Sequence, residues 1–262
     1  MKRYLLIAIA AIFILGTPGL ALALGNAAPG TSPEAKAAII DQLYYLDPNQ
    51  AFVEEATEIL EAHGLEVDVW QDKEVTVDLY RELPKYGYSL IIFRAHAGIL
   101  FYQEGPAVKS TETTYLFTGE TYTTTKYVRE QLRGCVQSAQ VIKGYPMVFA
   151  ISPSFVTDSM EGRFDNTAII MAGCSCTRLT DMSAAFVDKG ASTYLGWDDN
   201  VGLDYINDAV LNLIENLVSE DTTVSQAVAE TTNEVGPDPY YHACLKYYPP
   251  ESDSLTIGEL TK

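Results

Sequence analysis

The sequence is poor in the residues that metal centres and nucleic-acid interfaces need. Histidine occurs 3 times and cysteine 4 times in 262 residues. Cys174 and Cys176 are separated by one residue, which is shorter than the usual spacing of zinc ligands, and no second cysteine pair or histidine pair completes a site. Basic residues are also scarce: 17 Lys and Arg stand against 35 Asp and Glu, and the net charge of −18 repels nucleic-acid phosphates. We therefore expect no metal, no cofactor and no nucleic-acid partner.

Long apolar runs are missing except at the N-terminus. Lys2 and Arg3 precede an apolar stretch, and a small-x-small sequence ends it at Ala23, so residues 1–23 are predicted to be a signal peptide. The alternative is an uncleaved N-terminal anchor, although the run is short for a membrane span. Residues 24–34 are predicted to be a linker. We expect a secreted or extracytoplasmic protein that contacts a membrane only if the N-terminal segment is uncleaved.

The rest of the chain has an ordinary globular composition, with 47% hydrophobic residues. Apolar runs alternate with amphipathic segments, and the run at 89–93 is continuous, as in strands buried on both faces of a parallel sheet. This pattern predicts an α/β fold with a doubly wound, mostly parallel sheet flanked by helices. We expect a single domain over residues 35–240 and a C-terminal tail, 241–262, that packs on it.

The middle and the end of this domain give weaker patterns. Residues 115–125 carry β-branched and aromatic side chains around Gly119, which predicts a hairpin there. Residues 202–234 are predicted to form one long helical region.

Two of the apolar runs lead to reactive side chains. The run at 89–93 is followed by His96 and Gly98, and the run at 167–171 is followed by Cys174. Ligands of open α/β sheets bind at the carboxyl ends of the strands. A thiol becomes a good nucleophile only when it is deprotonated, and a nearby imidazole can remove the proton. The sequence therefore predicts a Cys174–His96 pair at one edge of the sheet.

Each of these side chains also has a structural interpretation. Cys174 could be a small buried hydrophobic residue and His96 a buried structural histidine. Cys176 is interpreted as structural or as a disulfide partner. In an exported chain Cys135 could pair with Cys244, but spacing alone does not fix the connectivity.

The residues around the two strand ends resemble the caspase-like (clan CD) cysteine peptidase superfamily, most closely its CHAT, separase and gingipain-type domains. The stretch Met171-Ala172-Gly173-Cys174-Ser175 is similar to the separase Met-Gly-Cys-Ser. His96 with Gly98 resembles the His-Gly that follows a sheet strand in these families. Further similarity, in the order of elements, extends over residues 37–240. The resemblance implies a caspase-like fold and an exported cysteine endopeptidase that acts on protein or peptide substrates.

The resemblance also implies roles for individual residues. Cys174 would attack the scissile carbonyl and His96 would handle the proton. The backbone amides of Ala97 or Gly98, together with that of Cys174, would form the oxyanion hole. The families usually have glycine directly after histidine, whereas Ala97 intervenes here. The helix that follows Cys174 is expected to lower the pKa of its thiol.

Several members of these families prefer Arg or Lys, which a carboxylate near the following strand recognises. The resemblance therefore implies a substrate-binding role for Trp197, Asp198 and Asp199, with possible cleavage after basic residues. The alternative is turn or N-cap chemistry for the two aspartates and core packing for Trp197.

Two other functions stay open. One is a catalytically inactive domain of the same fold that acts as a binding module at the cell surface, which the absence of glycine at position 97 favours. The other is a thiol redox protein that uses Cys174 and Cys176.

Overall fold

The computed structural model describes residues 35–141 and 144–260. The predicted signal peptide, 1–23, and linker, 24–34, lie outside the described residues. The described strands are β1 Ala35–Asp41, β2 Leu65–Gln71, β3 Leu90–Arg94, β4 Ala97–Glu104, β5 Ala107–Thr121, β6 Val136–Ala139, β7 Val148–Ile151, β8 Thr167–Ala172, β9 Ala191–Trp197 and β10 Leu245–Tyr248. The described α-helices are α1 Gln50–Ala62, α2 Val77–Glu82, α3 Val128–Leu132, α4 Pro153–Asp158, α5 Asp181–Asp188, α6 Leu203–Val218, α7 Val224–Val235 and α8 Ile257–Leu260.

Six strands form the main sheet, in the order β2-β1-β3-β8-β9-β10. All neighbours pair in parallel except β10, which is antiparallel to β9. Every residue of β3 and β8 is buried, as expected for central strands that are covered on both faces. The α/β class with a mostly parallel sheet flanked by helices is confirmed.

Alternate residues of the central strands pack into two separate cores. Ile91 and Phe93 belong to a core that includes α2, α4 and α5, whereas Leu90 and Ile92 belong to a core that includes α1, α6 and α7. Because side chains of a strand alternate between faces, these two cores lie on opposite sides of the main sheet. We call them the α5-side core and the α6-side core.

A second, smaller sheet lies between β3 and β8 in the sequence and has the order β4-β5-β7-β6, all antiparallel. One face of this small sheet contributes Leu116, Val136 and Ile151 to the α5-side core. Because β4 starts three residues after the end of β3, the small sheet is joined directly to the candidate site.

The predicted hairpin at 115–125 is wrong, because β5 continues through Gly119 to Thr121. The turn of the β4–β5 hairpin instead contains Gly105, whose φ is +60°. Glycine is required at position 119 for a different reason: a Cβ there would lie 1.7 Å from the carbonyl oxygen of Asp72. Glycine at 119 therefore reflects a close backbone approach and not a turn.

The helical region predicted over 202–234 consists of two helices, since α6 ends at Val218 and α7 begins at Val224. Asp221 has a φ of +60° in the connection, and Thr223 and Gln226 form a reciprocal capping box at the start of α7. The predicted tail contributes β10 to the edge of the main sheet, so residues 245–248 belong to the sheet itself. No helix of the described chain combines the length and apolar character that a membrane crossing requires.

Candidate functional site

The loops that follow β3 and β8 are in direct backbone contact. Arg94 pairs with Ala172 in the last register position, and the Ala95 amide donates to the Ala172 carbonyl at 3.2 Å. A Cβ on Gly173 would lie 2.3 Å from the Ala95 carbonyl oxygen, so only glycine allows this approach. His96 and Cys174 are the residues that follow this contact on the two loops. The two predicted side chains thus leave adjacent strands at the same edge of the main sheet.

Both side chains are also on the α6 side of the sheet. Arg94 reaches Asn207 in α6, and His96 follows Arg94 by two residues, a step that preserves the face along an extended chain. Cys174 packs against the α6-side core, and its Sγ lies 3.9 Å from the Val201 carbonyl oxygen, just before α6.

The Cys174 thiol is protonated at neutral pH. Burial raises the pKa of this thiol, and the nearby carboxylates Asp238 and Asp199 act in the same direction. The expectation that the following helix lowers the thiol pKa is wrong. Helix α5 begins only at Asp181, seven positions further along the chain, and desolvation outweighs any favourable helix dipole.

The turn after Cys174 has a strained backbone. Ser175 has a φ of +56°, in the left-handed region that non-glycine residues rarely adopt. Its amide donates to the Asp199 carbonyl at 2.8 Å, which ties the turn to the end of β9. Such strain is maintained only when surrounding contacts enforce it, and it occurs often at functional sites.

His96 has a neutral imidazole at physiological pH. Burial, and then the positive charge of Arg94, lower its pKa to about 4. Its backbone amide donates to Oε1 of the buried Gln42 at 2.9 Å, and its ring centroid lies 6.0 Å from that of Phe117. Among the hydrogen bonds of the described residues, none joins the His96 ring to Cys174. A neutral imidazole is the form of histidine that can accept a proton as a general base.

An ion-pair network centred on Arg94 lies at the end of β3, two residues before His96. Arg94 is fully buried and donates to Asp41 at 2.9 Å, to Asn207 at 2.8 Å and to the Asp47 carboxylate. Its guanidinium also lies 5.7 Å from the centroid of the Phe52 ring. The available signal was a charged residue at the end of an apolar strand, because a buried charge requires partners. These contacts fix the end of β3 against β1 and α6.

The two predicted oxyanion-hole amides differ in direction. Ala97 pairs with Leu116, and the Phe117 amide donates to the His96 carbonyl at 2.9 Å. In this antiparallel pattern the Gly98 amide is directed at Tyr115 on β5, whereas the Ala97 amide points away from β5. Strand β4 is the edge of the small sheet, so the Ala97 amide faces its open side. Of the two amides, that of Ala97 is the better candidate donor.

The three predicted substrate-binding residues are occupied by structural contacts. Trp197 is 0% exposed in the α6-side core and its Nε1 donates to Tyr205, so it lines no cleft. The Asp198 carboxylate accepts the Cys244 amide at 2.7 Å, and the Asp199 carboxylate accepts the Asn200 amide at 2.8 Å. Asp199 also forms an exposed ion pair with Arg178 at 3.4 Å. The turn and core interpretations describe these residues better than a basic-specific pocket does.

The four cysteines are all free, so Cys135 is not paired with Cys244. Cys176 is fully buried in the α5-side core, and burial raises the pKa of its thiol well above the usual value. Its Sγ lies 3.5 Å from the Cys174 carbonyl oxygen, but the Cys174 thiol faces the other core. Within the described chain, no cluster of three or more His, Cys, Asp or Glu side chains is arranged to hold a metal ion.

A comparison of the chain with models of protein families, and another with curated proteins, found no match. Function is therefore inferred from the geometry of the site and from the resemblance carried by its short motifs.

Proposed function

We propose that the protein is an exported cysteine endopeptidase of caspase-like fold that hydrolyses peptide bonds through a Cys174–His96 dyad. The observation that carries this proposal is the contact between the two loops, in which Gly173 packs on the Ala95 carbonyl and the next residue of each loop is Cys174 or His96. Two potentially reactive groups from distant parts of the sequence thus follow one contact at the carboxyl edge of the sheet.

The protonation states of the two groups suggest how the reaction starts. The thiol is protonated and the imidazole is neutral at physiological pH. His96 accepts the Cys174 proton as the sulfur attacks the scissile carbonyl carbon, and the oxygen of that carbonyl becomes an oxyanion. The Ala97 and Cys174 amides donate to this oxyanion, and one such donor typically contributes about 10²–10³ in rate.

The reaction then proceeds through an acyl-enzyme. The imidazolium of His96 gives its proton to the leaving amine as the peptide bond breaks, which leaves a thioester on Cys174. His96 next accepts a proton from water, and the water oxygen attacks the thioester carbonyl. The C–S bond of the tetrahedral intermediate then breaks, the acid product departs, and the sulfur takes the proton back from the His96 imidazolium.

In the alternative proposal, the protein has the same fold but no catalytic activity. The absence of glycine at position 97 favours this alternative. The register of β4 weakens the argument from position 97. The Ala97 amide points away from β5, and alanine allows this orientation as well as glycine does. The redox alternative is disfavoured because Cys174 and Cys176 face opposite cores and the Cys176 thiol is fully buried.

Labelling with a peptidyl acyloxymethyl ketone tests the proposal. We expect one equivalent of label on Cys174, no label in Cys174→Ala, and much slower labelling in His96→Ala. His63→Ala is the matched control, because His63 is exposed at the end of α1 and its ring contacts the Ile59 carbonyl of the same helix. Labelling that is equally fast in His96→Ala and in the control would contradict the dyad.

A further inference from the structure

A cleft of about 410 Å³ lies on the outer face of the small sheet, the face opposite the α5-side core. Its lining includes Gly98, Tyr115, Phe117, Gln137, Met147 and Ala150. We call it the outer cleft. None of the described residues that line it is charged, although 20% of the residues of the chain are Asp, Glu, Lys or Arg. The cleft therefore differs from the rest of the acidic surface.

The floor of the outer cleft lies near His96, because Phe117 lines the cleft and its ring neighbours that of His96. The pairing of the small sheet forms one row across the strands, from His96 to Phe117, then to Ala150 and to Gln137. Side chains in such a row lie on the same face of a sheet. The ring centroids of His96 and Phe117 are 6.0 Å apart, so a side chain bound over Phe117 would lie near the His96 ring.

A glycine and a half-exposed methionine determine the shape of the cleft. A Cβ on Gly98 would have no heavy atom within 4 Å, so the space in front of Gly98 is open. Met147 is 39% exposed and its flexible thioether can adapt to different ligands. The available volume is sufficient for one large side chain, and Gln137 offers polar partners for a peptide backbone.

We infer that the outer cleft is a substrate subsite that selects peptides with a large uncharged side chain, aromatic or aliphatic, next to the scissile bond. This inference rests on the proposed function, and it replaces the basic preference that the resemblance implied. A basic side chain in this cleft would lose its hydration without meeting a carboxylate, and Asp198 and Asp199 are occupied by other partners. A large apolar side chain would gain contact with Phe117 and Met147, which line the cleft.

The experiment uses three peptides that differ only at the residue before the scissile bond, which is Phe, Arg or Asp. Their affinities are measured by fluorescence anisotropy with Cys174→Ala protein, which needs no catalysis, and their kcat/KM values are measured with the wild-type chain. A salt concentration of roughly 0.5 M screens the long-range attraction between a cationic peptide and the acidic protein. We expect the Phe peptide to be preferred over the Arg and Asp peptides by at least about tenfold in both measurements.

Variants that place a charge at Met147 test whether the outer cleft determines the peptide preference. Met147→Glu should weaken binding of the Phe peptide severalfold and strengthen that of the Arg peptide, because it places a carboxylate in the cleft. Met147→Lys should favour the Asp peptide instead, and Met147→Gln is the uncharged control. Each variant is made in both the wild-type and the Cys174→Ala backgrounds.

The outcomes separate the two proposals. Hydrolysis with an Arg preference that Met147→Glu does not change would overturn the subsite and leave the dyad intact. Selective binding of the Phe peptide without hydrolysis or labelling of Cys174 would overturn the proposed function, while the cleft would remain a site for uncharged peptides. Equal binding of all three peptides to Cys174→Ala protein would overturn the subsite whatever the catalytic result.

Discussion

Cys174 and Cys176 are two residues apart and have opposite environments. Cys174 is half-buried on the α6 side of the main sheet, next to the loop that carries His96, whereas Cys176 is fully buried on the α5 side. The strained turn at Ser175 separates them. A short sequence motif thus contains one cysteine suited to chemistry and one suited to packing, and only the three-dimensional environment distinguishes them.

The largest expected effects are a loss of activity in Cys174→Ala and a loss of stability in Cys176→Ala. Cys174→Ala should lower kcat/KM by about 10³-fold or more, because it removes the nucleophile. Cys176→Ala should keep kcat/KM within a few-fold but lower the free energy of unfolding by about 1–2 kcal/mol, because it leaves a small cavity in a packed core. Peptide hydrolysis and urea denaturation measure the two quantities. A loss of activity in both variants would contradict the distinction between a catalytic Cys174 and a structural Cys176.

A smaller loss of activity is expected when the proposed general base, His96, is replaced. His96→Asn should lower kcat/KM by about 10²-fold or more, because Cys174 then lacks a proton acceptor. Steady-state kinetics of His96→Asn against His63→Asn provides the comparison. A His96→Asn enzyme with normal kcat/KM would show that another group accepts the proton.

The pH dependence of thiol alkylation also distinguishes Cys174 from Cys176. Burial raises the pKa of Cys174 above its ordinary value, so the thiolate fraction should rise about tenfold with each pH unit between pH 6 and 8. Iodoacetamide should modify Cys174 at a rate that follows this slope and should hardly modify Cys176 in the folded protein. Fragment-ion mass spectrometry distinguishes the two positions. A rate plateau at pH 6–7 would instead indicate a thiolate–imidazolium pair.

The smallest expected effect is at the predicted basic-specific pocket. Asp199→Asn should change kcat/KM for Arg and Phe peptides by less than about twofold, because the Asp199 carboxylate pairs with Arg178 on an exposed surface. The ratio of kcat/KM values for the two peptides is the measured quantity. A selective tenfold loss with the Arg peptide would restore Asp199 as a specificity residue.

The main sheet was predictable because its strands are continuous apolar runs. Strands β3 and β8 are buried on both faces, so burial and sequence pattern agree. Their ends led to the prediction that His96 and Cys174 are site residues. The small sheet was missed because β6 has only four residues and the outward side chains of β5 are polar or aromatic, which weakens any periodic signal.

The contacts that occupy the predicted substrate-binding residues come from tertiary structure. Trp197 is fully buried, although an aromatic residue at a strand end could equally have lined a cleft. Asp198 binds the amide of Cys244, a residue distant in sequence, which no local pattern reveals. The Arg94 network brings together Asp41, Asp47 and Asn207 from separate elements for the same reason.

The most direct test of the dyad is intact-mass spectrometry of the protein quenched in acid during turnover of a peptide ester. The account predicts a transient mass increase equal to the acyl group, located on Cys174, which disappears in Cys174→Ala and forms more slowly in His96→Asn. Hydrolysis that continues with no acyl group on Cys174, or with the acyl group on Cys244, would contradict it.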